Sequence, residues 1–217
     1  MRINQYIALN LPTSRRKADE LIKNGEVLVN NEIATLGTVI VDSDIVFVYG
    51  KKINNTKKHE YYRFYKPKGY ICSHNKQGPA PTIFELIGKN YLKFGGRLDK
   101  DSEGLMLLST DGQWLDDIFR AKNKIEKKYI VTITTKIDTN KKLRINIKHN
   151  GEYLRINKLK VIDNYSYQAL LTSGKNHEIR RIFRFNKLKI KTLKRVSIGD
   201  YSLDKLDKGE LSKIEKF

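Results

Sequence analysis

One cysteine, Cys72, stands in 217 residues. That excludes an internal disulfide framework and a cysteine-rich zinc site. No apolar run approaches the eighteen or so residues that a spanning helix needs. The opening Met1-Arg2-Ile3-Asn4-Gln5 has no apolar core of the kind a signal peptide carries. A cytosolic protein is therefore expected. A phosphate-cradling Gly-x-x-x-x-Gly-Lys loop is missing, and His59, His74, His149 and His177 lack metal-ligand spacing. His177-Glu178 would need a second His where Arg181 stands. Acidic side chains are scarce: 24 Asp+Glu against 43 Lys+Arg, a formal net charge of +19. Such an imbalance calls for a polyanionic partner, nucleic acid before an anionic membrane. A lysine-rich background composition is the plainer explanation.

The charge is unevenly placed. Residues 1–58 carry a net +3 and the remainder +16. Residues 175–195 hold nine basic side chains against Glu178 alone, so this stretch is expected to touch the polyanion.

The first fifty residues read as a small α+β module. Ile3, Ile7 and Leu11 recur at helical spacing. Ser14 suits the N-cap of a second helix, Arg15 to Asn24, with Gly25 as its stop. Short β-prone runs follow at 26–29, 39–41 and 45–48. Residues 51–59 are polar and aperiodic, and read as a linker. Beyond them, strand signals dominate: 61–65, 105–108, 129–134, 167–171 and 188–196. A helix from His177 to Phe185 would bury Ile179, Ile182 and Phe183 and present Arg180, Arg181 and Arg184. The class is α+β, with a mixed, mainly antiparallel sheet in the larger part.

Arg15, Arg16 and Lys17 begin the second helix, where positive charge opposes the helix dipole. A bound anion would reverse that penalty, and a solvated basic face is the alternative. The opening Met-Arg-Ile-Asn-Gln-Tyr-Ile-Ala, Ser14 to Asp19, and Ile22 to Asn31 together resemble the S4 RNA-binding domain. That resemblance implies RNA binding over residues 1–50, through Arg15, Arg16 and Lys17.

The segment Gly95 to Gly112 contains Arg97-Leu98-Asp99-Lys100-Asp101-Ser102-Glu103-Gly104. Its carboxylates imitate the start of a calcium loop. The twelfth position from Asp99 is Thr110, however, where such a loop needs a bidentate Glu. Taken alone, the segment reads as a polar turn between strands. Yet it resembles the catalytic motif of the ribosomal pseudouridine synthases of the small-subunit and large-subunit type. Four more stretches match that family in order: Tyr65–Gly69, Glu126–Val131, Gly174–Arg181 and Leu193–Gly199.

The resemblance implies a catalytic domain over residues 60–217, of the pseudouridine synthase type. It makes Asp99 the catalytic carboxylate, Tyr129 the aromatic that stacks on the target base, and Arg180 the cation paired with Asp99. It places Lys68, Arg97, Lys175, Arg181 and Arg195 toward the RNA. Glu178 replaces a commoner glutamine, which puts a negative charge near Arg180.

The chemistry suits these residue types. Uridine becomes pseudouridine when N1–C1′ breaks and C5–C1′ forms, without redox change, so no cofactor or metal is expected. One carboxylate acts as nucleophile or as base toward the sugar. A buried carboxylate needs a cation to stay ionised. A flat aromatic replaces stacking lost when the base leaves its helix. The expected partner is ribosomal RNA or a pre-ribosomal particle, met by a monomer. Residues 78–86 and 198–203 look closer to large-subunit enzymes, so the large subunit is weakly favoured. A non-catalytic RNA-binding assembly factor on the same scaffold is the competing class.

Overall fold

The structure is a computed structural model that describes residues 1–41, 43–53, 59–140 and 142–216. The chain forms two compact units, Met1–His59 and Glu60–Phe217. Among the described residues no helix is long and apolar enough to cross a membrane.

The first unit opens with α1 (Ile3–Asn10), whose Ile3, Tyr6, Ile7 and Asn10 are buried one helical turn apart. α2 (Arg15–Lys23) starts at Ser14, whose Oγ accepts a hydrogen bond from Lys17 N–H at 3.2 Å. It ends before Gly25, which holds φ at 75°, a conformation that favours glycine. β1 (Val27–Val29), β2 (Glu32–Ile33), β3 (Val46–Val48) and β4 (Lys51–Ile53) form an antiparallel sheet in the order β2-β1-β3-β4. Two expectations need correction. Residues 39–41 form no strand: Val39 makes one isolated bridge to Arg2, while Ile40 is buried. Lys51–Ile53, expected in the linker, extend the sheet, because Ile53 joins the core and its carbonyl accepts from the Tyr6 hydroxyl at 3.3 Å. Linker residues 54–58 lie outside the described residues.

The second unit contains, in chain order, β5 (Tyr61–Lys66), α3 (Ile83–Ile87), β6 (Lys93–Gly95), β7 (Glu103–Ser109), α4 (Gly112–Phe119), a 3-10 turn (Ala121–Asn123) and β8 (Lys127–Ile133). There follow β9 (Asn146–His149), β10 (Glu152–Arg155), β11 (Lys158–Val161), β12 (Ser166–Leu171), α5 (Glu178–Phe185), β13 (Ile190–Ile198), β14 (Tyr201–Ser202) and β15 (Leu211–Ile214). The large sheet runs β11-β12-β8-β13-β7-β5-β15, with β6 on β7 and β14 on β13. Every pairing in it is antiparallel except β13 with β7 at its centre. β9 and β10 form a separate hairpin. This is the expected α+β class with a mixed, mainly antiparallel sheet.

β7 is buried along its whole length because both faces are covered. Leu105 and Leu107 pack with Trp114 and Leu115 of α4. Met106 and Leu108 point to the other face and pack with Ile83 and Phe84 of α3. α5 lays Ile179, Ile182 and Phe183 against Val131, Tyr167, Ala169 and Leu193. The Asp111-Gly112 pair, a dipeptide that commonly marks turns, is here a helix start: the Asp111 carboxylate accepts from Trp114 N–H at 3.0 Å.

The central parallel pair depends on Gly104, which holds φ at 116° opposite Arg195. A Cβ at that position would lie 2.2 Å from the Arg195 carbonyl oxygen and 2.6 Å from its nitrogen. Only glycine allows the strands to meet there.

Candidate active site

Asp99 sits on the turn between β6 and β7. Leu98 anchors that turn in the core, and Ser102 N–H closes it on the Asp99 carbonyl at 3.0 Å. A side chain of α5 or its cap approaches each carboxylate oxygen. Arg180 Nε lies 3.4 Å from Oδ2, and His177 Nε2 lies 3.2 Å from Oδ1. Arg180 also donates through Nη2 to the Ser102 hydroxyl at 2.8 Å, so one guanidinium ties both ends of the turn to α5. The expected pairing of Asp99 with Arg180 is present in this geometry. The carboxylate is more open than expected, with a side-chain exposure of 37%. Orientation is therefore the larger part of what Arg180 supplies.

Two buried cations hold the turn from the strands flanking β7. From β5, Lys66 is fully buried and donates to the carbonyls of Ser102 (2.8 Å), Asp99 (3.1 Å), Pro67 (3.1 Å) and, at 3.5 Å, Lys100. Burial pulls its ammonium down to about 8, opposed by Cys72, Asp99, Asp101 and Glu103. From β13, Arg195 donates to the carbonyls of Leu105 and Gly96, each at 2.8 Å. Backbone carbonyls are the natural acceptors for such cations, and leaving them unmade inside the fold is costly.

Tyr129 lies in β8 between Ala169 and Arg195 of the neighbouring strands. It is half-buried against the core and faces the same cleft as Asp99. That cleft measures about 420 Å³, within the range of small-ligand sites. Asp99, Tyr129 and Arg180 are thus brought together from three elements far apart in sequence. Arg97 and Lys175 are exposed and line the cleft as well.

Other expected contacts fall elsewhere. Arg195, expected at the RNA surface, lines the inner wall of the cleft but is only 2% exposed and spent on the two carbonyls. Arg181 pairs with Glu152 and donates to the His149 carbonyl at 2.7 Å, tying α5 to the β9–β10 hairpin. Lys68 is exposed outside the cleft lining, with its ammonium 3.3 Å from the Lys191 carbonyl. Arg15, Arg16 and Lys17 are exposed on the first unit. Glu178 does not face Arg180. It is buried, accepting from Arg155 N–H (3.1 Å), Lys175 N–H (3.3 Å) and the Ser173 hydroxyl (2.7 Å). It organises the loop before α5. Cys72 is packed, and burial pushes its thiol up, away from nucleophilic use.

Sequence reasoning misses two residues. Lys66 occurs beside Lys68 in the Tyr65–Gly69 stretch, and only burial separates their roles. His177 lacks metal spacing, and although it falls within the Gly174–Arg181 stretch, nothing there distinguishes it from its neighbours. Its backbone occupies the left-handed region at φ 49° as the residue capping α5, which turns the ring toward Asp99. A histidine held there is an outlier of the kind that clusters at functional sites.

Comparison with known proteins identifies the family. The family model described as RNA pseudouridylate synthase matches residues 60–185, and the S4 domain model matches residues 1–46. The chain is 33% identical to a protein of Haemophilus influenzae named ribosomal small subunit pseudouridine synthase A, covering 100% of this chain and 99% of the relative. It is 32% identical to an RNA pseudouridine synthase of Aquifex aeolicus described as uncharacterized, over 97% of this chain and 91% of the relative. A crystal structure titled pseudouridylate synthase superposes with a TM-score of 0.66 at 30% identity, covering 99% of this chain and 96% of the other. The chain belongs to the RNA pseudouridine synthase family and carries an S4 domain at its N-terminal end.

Proposed function

We propose that the protein isomerises one uridine of small-subunit ribosomal RNA to pseudouridine, with Asp99 as the group that acts on the ribose. The observation that carries this reading is the Asp99 carboxylate, clamped by Arg180 and His177 in a cleft shared with Tyr129. Asp99 serves as nucleophile at C1′ or as base toward the sugar. N1–C1′ breaks, the base turns, C5–C1′ forms, and the C5 proton leaves while N1 gains one. The bonds exchange without net oxidation, so the reaction calls for no redox partner.

Arg180 holds one carboxylate oxygen and His177 stands beside the other, which together aim the carboxylate at the ribose. Tyr129 offers a flat surface for the extruded base, a contact worth roughly 1–3 kcal/mol. Arg97 and Lys175 line the cleft where phosphates would pass. In the first unit, Arg15, Arg16, Lys17 and the free N–H groups at the start of α2 form an anion-binding end suited to RNA phosphate.

The names of the relatives guide the choice of subunit. The large-subunit preference read from residues 78–86 and 198–203 finds no support among the small-subunit names, and we assign the small subunit. A cytoplasmic place of action follows from such a substrate.

Tritium release tests the reading. Small-subunit RNA labelled at uridine C5 is incubated, naked or in precursor particles, with wild type and with Asp99→Ala. Release by wild type and none by the variant, at nearly equal RNA affinity, is the expected result. Turnover by Asp99→Ala would remove Asp99 from the chemistry. No release by wild type from either subunit's RNA would favour the non-catalytic assembly factor.

A further inference from the structure

We infer that a second, basic groove beside the catalytic cleft holds the RNA phosphodiester backbone flanking the target nucleotide. The identity of the ligand rests on the RNA-isomerase reading above, and the location rests on the geometry. The groove, of about 370 Å³, is lined by Arg180, Arg184, Lys187, Leu188, Lys189 and Ile190. Among the described residues no carboxylate lines it. Arg180 lines both this groove and the catalytic cleft, so the two meet at the guanidinium that holds Asp99.

The other three cations are exposed, and among the described residues none forms an ion pair with a carboxylate. Arg181, next to Arg180, is by contrast engaged by Glu152 and His149. Arg180 and Arg184 are four residues apart on one helix face, where like charges repel. The C-terminal dipole of α5 rewards Arg184 and, just past the C-cap, Lys187. It does not account for Lys189, four residues beyond the end of the helix. An anion in the groove satisfies all three.

The far wall is built to hold its shape. Lys187 turns the chain through the left-handed region at φ 58°. Lys187 N–H bonds to the Arg184 carbonyl and Leu188 N–H to the Phe183 carbonyl, both at 2.9 Å, and Thr134 N–H fixes the Lys189 carbonyl at 3.0 Å. Leu188 and Ile190 supply an apolar floor. Among the described residues no aromatic lines the groove, so they offer no platform for stacking bases. Cations above an apolar floor suit phosphate and ribose, the part of RNA that positions without specifying sequence. Arg180 and Arg184 are offset by about 6 Å along the helix, which lets one strand run from the cleft onto both.

The test uses the full chain carrying Arg184→Gln, Lys187→Gln and Lys189→Gln together, with Lys189→Glu alone as a second variant outside the helix. Small-subunit RNA transcript is the probe, and affinity is measured across chloride concentrations. Removing three cations from a single-stranded phosphate track should lower the slope of log affinity against log salt by about 2. KM for RNA in tritium release should rise about tenfold, with kcat within about twofold and an unchanged melting temperature, as expected when binding weakens equally in the ground and transition states. Lys189→Glu should show the same trend without touching α5. An unchanged slope and KM in both variants would overturn the assignment. So would displacement of RNA from wild type by inorganic phosphate at fixed ionic strength if the displacement is lost in the triple variant, because that marks a free-anion site. If wild type releases no tritium, the isomerase reading fails, while the salt slope still decides the groove.

Discussion

Replacing Lys66 by methionine removes one ammonium and keeps most of the side-chain volume. In the wild type, that ammonium makes three bonds of 3.1 Å or shorter, to the carbonyls of Pro67, Asp99 and Ser102. Hydrogen bonds to a charged group contribute about 1.5–3 kcal/mol each. The cost of stripping water from the ammonium, visible in its fall from 10.5 to about 8, offsets about 3 kcal/mol of that near pH 7. Lys66→Met should therefore destabilise the protein by about 1.5–6 kcal/mol, read as a lower urea midpoint. The effect on turnover should be larger than the loss of stability suggests. Two of the three carbonyls belong to the turn that aims Asp99, and a displacement of about 1 Å at the reacting group costs on the order of a hundredfold. Tritium release at saturating RNA, run where the variant is still folded, should fall by about 10- to 100-fold. RNA affinity should hardly move, because Lys66 is fully buried. A variant with wild-type turnover and a urea midpoint equivalent to less than about 0.5 kcal/mol of loss would refute the claim that this lysine holds the turn.

The pH dependence of the same group has a definite sign. Its folded value, about 8, lies below its ordinary 10.5, so between those values the unfolded chain holds a proton that the folded chain has released. Stability from Lys66 rises with pH across that window, by up to about 3 kcal/mol. The gap in urea midpoint between wild type and Lys66→Met should widen from near pH 7 to near pH 10, and a narrowing gap contradicts the argument. Gly104→Ala forces a Cβ to 2.2 Å from the Arg195 carbonyl oxygen. It should cost at least about 3 kcal/mol, seen in thermal melting, and a normal melting temperature would show that the strands yield. His177→Ala frees one carboxylate oxygen of Asp99. It should lower kcat about tenfold with little change in KM, partly restored by His177→Asn. An effect confined to KM would make His177 an RNA contact instead.

Much of the architecture is local and hence legible in the residues. Ser14 caps its helix through its own side chain, and Gly25 ends that helix with its own φ. The apolar run 105–108 reads as a strand because it is buried on both faces. What misleads is context. Asp111-Gly112 looks like a turn, and only the tertiary structure shows the Asp111 carboxylate capping a helix that starts there. Lys51–Ile53 look like linker because two of three are lysines, and the sheet needs only Ile53 inside. Basic and apolar residues alternate through β13, which suggests an exposed face. β13 lies at the centre of the sheet, so the side chain of Arg195 is enclosed.

The order of motifs in the chain was sufficient to identify the family and the α+β class, and to point to Asp99 and Arg180 as a pair. Tertiary structure alone decided which cations stand open to solvent and which hold the turn. Lys66, Lys68, Arg181, Arg184 and Arg195 are equivalent in a sequence, because each carries one positive charge on a flexible stem. Solvent access and the nearest acceptor separate them. Lys66 and Arg195 meet carbonyls in a closed interior, Arg181 meets a carboxylate, and Arg184 stands exposed beside a groove. Those surroundings are assembled by strands and helices distant along the chain.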